Sequence, residues 1–201
     1  MILEGLLTTT DAAGAMHVAA MGPVVDDAEV AAGRIGRLVL RPFASSQTAA
    51  HLAARPEGVF HATDDVLLVA RVVTGAMERP PAARPAAAVR GWVLEEACRA
   101  WEFTVAAAER GDERQRLEAR VVAEHAARPF LGFNRAAHAV IEGCILVTRL
   151  HLLGVDEVAR RLGDLAPLVD KTGGPREREA FDLVRDRARF SPPSPSGRGP
   201  G

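Results

Sequence analysis

Pro129 divides this sequence between two hydrophobic rhythms, and that division restricts the fold more than any other feature. Ahead of it, apolar residues come in short β-branched and Leu-rich runs with a period near two. Behind it they recur at about 3.6 residues, the pitch of a helix. A strand-rich part over 1–128 should therefore precede a helical part over 129–190. The last residues, 191–201, form a Pro/Ser/Gly tail too poor in apolar side chains to order itself, and read as disordered. At 201 residues the chain is long enough for one well-formed core and short for two, so the helical part reads as an extension of the same domain.

The local signals fill in the elements. Ile2–Thr9 and Met16–Met21 flank the turn chemistry of Asp11-Ala12-Ala13-Gly14, a hairpin pattern. Ile35–Leu40 is a strand closed by Arg41-Pro42, since proline cannot continue a central ladder. Ser46–Arg55 favours helix behind a Ser cap, Gly58–Thr63 returns to strand, and Val66–Val73 is a short helix that Asp64 or Asp65 can cap. The stretch 78–90 mixes prolines with alanines and reads as a loop. Trp92–Ala106 and Arg116–Glu124 look like two long strands around Arg110-Gly111-Asp112. Helices are expected over Phe133–Leu153, Asp156–Leu165 and Arg176–Phe190, punctuated by Gly154 and by Gly173-Gly174-Pro175.

Composition removes several function classes. The formal net charge is −1 and arginine is spread along the chain with no basic stripe, which argues against nucleic acid or an anionic membrane as partner. Tyrosine is absent and aromatic content is 4%, too little for a stacking platform on single strands. Cys98 and Cys144 are isolated within apolar stretches, so neither a disulfide framework nor a metal spacing is present. The N-terminal Met1-Ile2-Leu3-Glu4-Gly5 lacks the basic region of a signal peptide. The apolar run from Ala139 to Val147 is too short to span a bilayer. A cytoplasmic protein is expected.

The segment richest in chemistry is Arg41-Pro42-Phe43-Ala44-Ser45-Ser46-Gln47-Thr48, where a strand hands over to a helix. Free N–H groups at a helix N-terminus, the hydroxyls of Ser45, Ser46 and Thr48, and the Arg41 guanidinium together make a phosphate cradle. An ordinary Ser cap with a surface arginine explains the same residues, and on pattern alone it is the stronger reading, because caps far outnumber phosphate sites.

Several separated motifs shift that balance. Met1-Ile2-Leu3-Glu4-Gly5 with Ala20-Met21-Gly22-Pro23, Leu40-Arg41-Pro42-Phe43, the run from Gly58 to Val66, the run from Phe133 to Glu142, and the run from Lys171 to Phe181 occur in order over residues 1 to about 190. Together they resemble the DUF447 flavoprotein family, relatives of the flavin-reductase-like FMN-binding split barrels. The resemblance implies a mainly β fold with α: a six-stranded split β-barrel plus a C-terminal helical extension. It also implies FMN at a homodimer interface, with its phosphate on the Arg41–Thr48 turn, including Phe43 and Gln47. Ala20, Met21 and Gly22 would flank the flavin, because small residues let backbone approach a flat ring. His51 and His61 would lie close by, and Asn134, Arg135 and His138 would line the flavin cavity or substrate mouth. The chain departs from the family pattern in having His17 where Asn usually stands, Ala20 where Pro stands, and Ala49-Ala50-His51 where Tyr-Arg-Asn follows.

Bland readings accompany the other candidates. A histidine near an apolar strand, such as His17, His51 or His61, is usually structural. Thr63-Asp64-Asp65 is a helix cap rather than a cation site. Asn134, His138 and Glu142 share a helix face, which equally suits a polar stripe; as metal ligands they lack companions, and no metal is expected. Lys171-Thr172-Gly173-Gly174 lacks the order of a Walker loop and reads as a helix–helix turn.

No Ser–His–Asp, Cys–His or paired-carboxylate arrangement is visible, as suits a flavoprotein whose isoalloxazine carries the chemistry. One functional reading is an FMN-dependent oxidoreductase passing a hydride or electrons to a small molecule, with pterin-dependent one-carbon metabolism suggested by the resemblance. The other is a flavin-binding or assembly module without turnover. A third keeps the pocket for haem or deazaflavin, since fold does not fix function.

Overall fold

A computed structural model describes residues 1–190, and the expected tail at 191–201 lies outside the described residues. The chain forms two compact units. One comprises residues 1–65 and 78–131; the other comprises 66–77 and the residues from Gly132 onward.

The first unit is a six-stranded antiparallel sheet. Its strands are β1 (Gly5–Thr10), β2 (Met16–Met21), β3 (Arg37–Leu40), β4 (Glu57–Ala62), β7 (Arg99–Glu109) and β8 (Arg116–Ala126), in the spatial order β2-β1-β4-β7-β8-β3. The strip Val24 bridges both Ile2 and Val39, so the free edge of β3 is drawn toward the start of the chain and the sheet curls into an open barrel. Register shifts within β7–β8, at Glu102/Phe103 and Val105/Ala107, sharpen that curl. The inner face buries Leu7, Leu38, Leu40, Phe60, Trp101, Phe103 and Leu117, and Leu52 of helix α2 (Gln47–Ala54) plugs the same core. A short helix, α1 (Asp27–Ala31), is capped by the Asp26 carboxylate, which accepts from Ala28 and Glu29 N–H.

The outer face is covered by a ribbon of β5 (Ala83–Pro85) and β6 (Trp92–Leu94). Two expectations are corrected here. Part of the stretch read as a loop is a strand, and Trp92–Ala106 is two strands broken at Glu95–Cys98, where Cys98 N–H turns back to the Ala62 carbonyl. Strand propensity does not register such a reversal, because the residues on both sides favour strands. The arm from 82 to 94 buries Val89, Val93 and Leu94 against the sheet, which also holds it by its backbone. Thr8 Oγ1 donates to Trp92 O (2.6 Å), Thr10 Oγ1 to Arg90 O (3.4 Å), and the Glu102 carboxylate accepts from Ala87, Ala88 and Val89 N–H at 2.7, 2.6 and 3.0 Å. Glu102 is wholly buried and also meets His125 Nε2 at 2.5 Å. Burial pushes its carboxyl up, but the backbone donors and His125 outweigh that and hold it below its ordinary value.

The second unit is helical: α3 (Val66–Thr74), α4 (Arg135–Thr148), α5 (Leu150–Leu153), α6 (Val155–Thr172) and α7 (Pro175–Arg189). Its core includes Leu67, Val140, Cys144, Leu162, Phe181 and Val184. Gly143 is a contact point, since a Cβ there would come within 3.0 Å of Val184 and 3.1 Å of Leu162. Pro175 opens α7 at its first turn, as its position predicts. The helix expected to stop at Leu165 runs on to Thr172 through Pro167, because the apolar stripe (Val158, Leu162, Val169) continues past the one lost backbone bond.

Candidate functional site

The strand-to-helix turn is assembled from both sides. After β3, Pro42 O accepts from Gln115 N–H (3.0 Å) and Ala44 N–H donates to Glu113 O (2.9 Å). Arg114 braces the corner: its guanidinium carbon lies 3.7 Å from the centre of the Phe43 ring, and its Nη1 donates to Arg41 O at 2.9 Å. Ser46 is the N-cap of α2. Its hydroxyl accepts from Ala49 N–H (3.2 Å) and donates to Phe43 O (2.7 Å). That oxygen is committed locally, whereas the amides of Gln47 and Thr48 have no acceptor among the described residues. Arg41, Ser45 and Gln47 are exposed, and the Arg41 guanidinium has no carboxylate within ion-pair range among those residues. Beside the turn, a cleft of about 500 Å³ opens between Ala44, Leu52 and the alanines at 106–108.

Thr48 is turned inward and buried. Its Oγ1 lies 3.5 Å from His17 Nε2, while Thr9 Oγ1 lies 3.1 Å from His51 Nδ1. The two imidazoles meet edge to face with centroids 5.2 Å apart. The register explains the meeting: Thr9 stands opposite His17 in the β1–β2 hairpin, on the same face as Leu7, and His51 comes down on them from α2. Burial, then the neighbouring His51, hold His17 below its ordinary pKa.

At the end of β2, Ala20 is exposed opposite Leu6, and Met21 packs on the barrel core opposite Gly5. The space over Gly22 is taken by the chain itself, since a Cβ there would stand 2.9 Å from Ile2 Cγ2 and 3.2 Å from the Glu4 carboxylate. His61 lies on the opposite face of the sheet from α2, fully buried. Its Nε2 accepts from Leu94 N–H (3.1 Å), which leaves Nδ1 to donate to Leu6 O (3.3 Å). Phe60 takes the inward position, and strict alternation sends its neighbour outward. Both ring nitrogens are engaged, and the ring ties β1, β4 and β6 together.

A family model described as the N-terminal domain of a protein of unknown function (DUF447) matches residues 3–128, and the companion C-terminal model matches 134–186. The chain belongs to the DUF447 family. No curated protein matches its sequence. The fold is similar to an FMN-bound DUF447 protein from Methanosarcina mazei, with a TM-score of 0.77 and 19% identity over 92% of this chain and 94% of that one. It is also similar to the flavin reductase of the styrene monooxygenase from Pseudomonas putida S12 (TM-score 0.52, 16% identity, 63% of this chain and 82% of that one). Flavoredoxin from Methanosarcina acetivorans is comparable (TM-score 0.51, 11% identity, 65% and 75%). The architecture is that of the split barrel with added C-terminal helices.

In this DUF447 chain Asn134 and His138 sit in the helical unit. Asn134 caps α4, its Oδ1 accepting from Ala136 N–H (2.8 Å) and its Nδ2 donating to Thr172 O (3.3 Å). His138 is exposed, with its ring 5.9 Å from that of Phe133. Of the two carboxylates offered as a cap for α3, Asp64 binds the Arg128 guanidinium and accepts from Leu131 N–H (3.2 Å). Both cysteines are buried, and burial raises the Cys144 thiol to about 12, which removes it as a nucleophile. Among the described residues no group of three or more His, Cys, Asp or Glu could hold a metal, and no helix is long and apolar enough to cross a membrane.

Sequence reasoning missed Arg114 and Thr9, and left His17 without a role. The hairpin carries only an approximate signal for two of them: counting outward from the 11–14 turn pairs residue 9 with 16, one short of its actual partner His17, because the connection spans the five residues 11–15. Nothing local announces Arg114, which reaches the turn from 73 residues away.

Proposed function

We propose that this protein binds FMN, with the flavin phosphate seated on the Arg41–Thr48 turn. The observation that carries the reading is the pairing of two amides, Gln47 and Thr48, and a guanidinium, Arg41, that have no acceptor or carboxylate among the described residues, on the turn where the sequence resemblance implies the phosphate. The residues fit an anion: the N-terminal pole of α2 favours negative charge, Ser45 supplies a further hydroxyl, and Arg114 and Ser46 hold the backbone in shape. The neighbouring cleft of about 500 Å³ is within the range of small-molecule sites and has an alanine floor that accepts a flat ring. Bound FMN supplies hydride or one-electron chemistry. The chain's part is to anchor the phosphate and leave the ring open to a small molecule, and the FMN-bound relative from Methanosarcina mazei supports this assignment. We further propose an oxidoreductase that works in the cytoplasm as a homodimer; its acceptor, on the family resemblance, is a pterin-type one-carbon carrier.

The purified protein should be yellow or take up FMN stoichiometrically. Arg41→Ala should weaken FMN about 10- to 100-fold, the worth of one charge-assisted contact, and leave riboflavin affinity unchanged. Equal loss for both ligands would remove the phosphate from this turn. The module without turnover is favoured by one observation: the only imidazoles on the described elements around the turn are His17 and His51, and each has one ring nitrogen against a threonine. Reduction of the bound flavin by a nicotinamide or deazaflavin, followed by reoxidation by an acceptor, separates the two readings.

A further inference from the structure

The His17–His51 pair is unusual in what surrounds it. Each ring is anchored through one nitrogen to a threonine on another element, His51 Nδ1 to Thr9 and His17 Nε2 to Thr48, so His51 Nε2 and His17 Nδ1 are uncommitted. The elements packed round the pair bring almost no charge: β1 (GLLTTT), β2 (MHVAAM) and α2 (QTAAHLAA) contain no acidic residue, and no arginine or lysine. The nearest charged groups in sequence are Asp11, whose carboxylate accepts from Ala15 N–H, and Arg55, which donates to Thr10 Oγ1 and Asp11 O. Among the described residues no carboxylate lies within ion-pair range of either ring. Half-buried beside a second imidazole, His17 is held below its ordinary pKa, and the described residues around it supply no counter-charge. Thr48, which touches the pair, belongs to the first turn of α2, where the free amides are.

We propose that His17 and His51 form a proton-accepting pair that reads the phosphate of FMN, taking up a proton from solvent as the dianion binds and so favouring FMN over uncharged riboflavin. The inference rests on the phosphate-cradle reading above. The anion supplies the counter-charge that the protein lacks, one ring nitrogen gains an N–H, and the resulting imidazolium adds a charge-assisted contact that riboflavin cannot elicit.

Calorimetric titration of the full chain with FMN at pH 7.5, in buffers of different ionisation enthalpy, measures the protons exchanged; at that pH the flavin phosphate is already mostly dianionic. Uptake approaching one proton is expected for FMN and none for riboflavin. FMN affinity should fall by up to about tenfold per pH unit between the free-state and bound-state pKa values of the pair and level off above the latter, while riboflavin affinity stays level. The His17→Asn, His51→Gln double variant should bind FMN without proton uptake and with a flat pH profile. FMN binding by the wild type with no proton exchanged, or uptake unchanged in the double variant, overturns the role of the pair and leaves the cradle standing. A folded protein that binds no FMN overturns the cradle and this inference together.

Discussion

His61 shows what one buried side chain can impose. Burial lowers its pKa to about 4, outweighing the hydrogen bond to Leu6. Above pH 6.5 the imidazole is neutral in both folded and unfolded chains and contributes no pH dependence. Between pH 6.5 and about 4 only the unfolded chain takes the proton, so stability falls with decreasing pH, by about 3 kcal/mol in total. Chemical denaturation across that range should show this slope, and His61→Gln, which keeps an acceptor for Leu94 N–H, should flatten it. A slope unaltered in the variant would assign the acid sensitivity to other groups. The residue also marks the limit of local reading. Its spacing from the cradle suggested proximity, whereas the side of the sheet it occupies follows from Phe60 filling the core. Ser46, by contrast, was legible as a cap because its partner, Ala49, is three residues away.

At the scale of elements, the arm from 82 to 94 depends on groups that belong to the sheet. Its Val89, Val93 and Leu94 side chains are buried, while the Glu102 carboxylate and the hydroxyls of Thr8 and Thr10 satisfy its backbone. Glu102→Gln keeps the shape but gives up three charge-assisted acceptor contacts, and should destabilise the fold by about 2 kcal/mol or more. Hydrogen exchange should accelerate first at the amides of Ala87, Ala88 and Val89. Uniform acceleration over the whole sheet would deny the arm its dependence on this side chain. None of this was visible in the stretch itself, which is why it read as a loop. The helices fared better, since a 3.6-residue stripe reports its own buried face; the end expected at Leu165 fell short because that stripe continues through Pro167 to Val169.

For the whole molecule, chain order and spatial grouping diverge. Helix α3 lies between β4 and β5 in sequence, yet its Val66, Leu67 and Ala70 are part of the core of α4, α6 and α7. The first unit leaves two strand edges, β2 and β3, and β2 carries neither charge nor proline, the usual protection of an exposed edge. That is consistent with the homodimer proposed above, which predicts a sedimentation mass near twice 21.4 kDa. A protein that stays at the monomer mass when saturated with FMN would exclude it.

By itself the sequence determined what short-range physics controls: the change of hydrophobic period, the hairpin turn, the cap at Ser46, and the proline that opens α7. Tertiary structure alone decided which face of the sheet each histidine joins, that Arg114 supports Phe43, that α3 belongs with the C-terminal helices, and that Glu102 holds the arm. A cap or a turn is satisfied within a few residues, so its signal is local. A buried carboxylate or a paired imidazole finds its partners only after strand register has brought distant segments together, and register is a property of the folded chain.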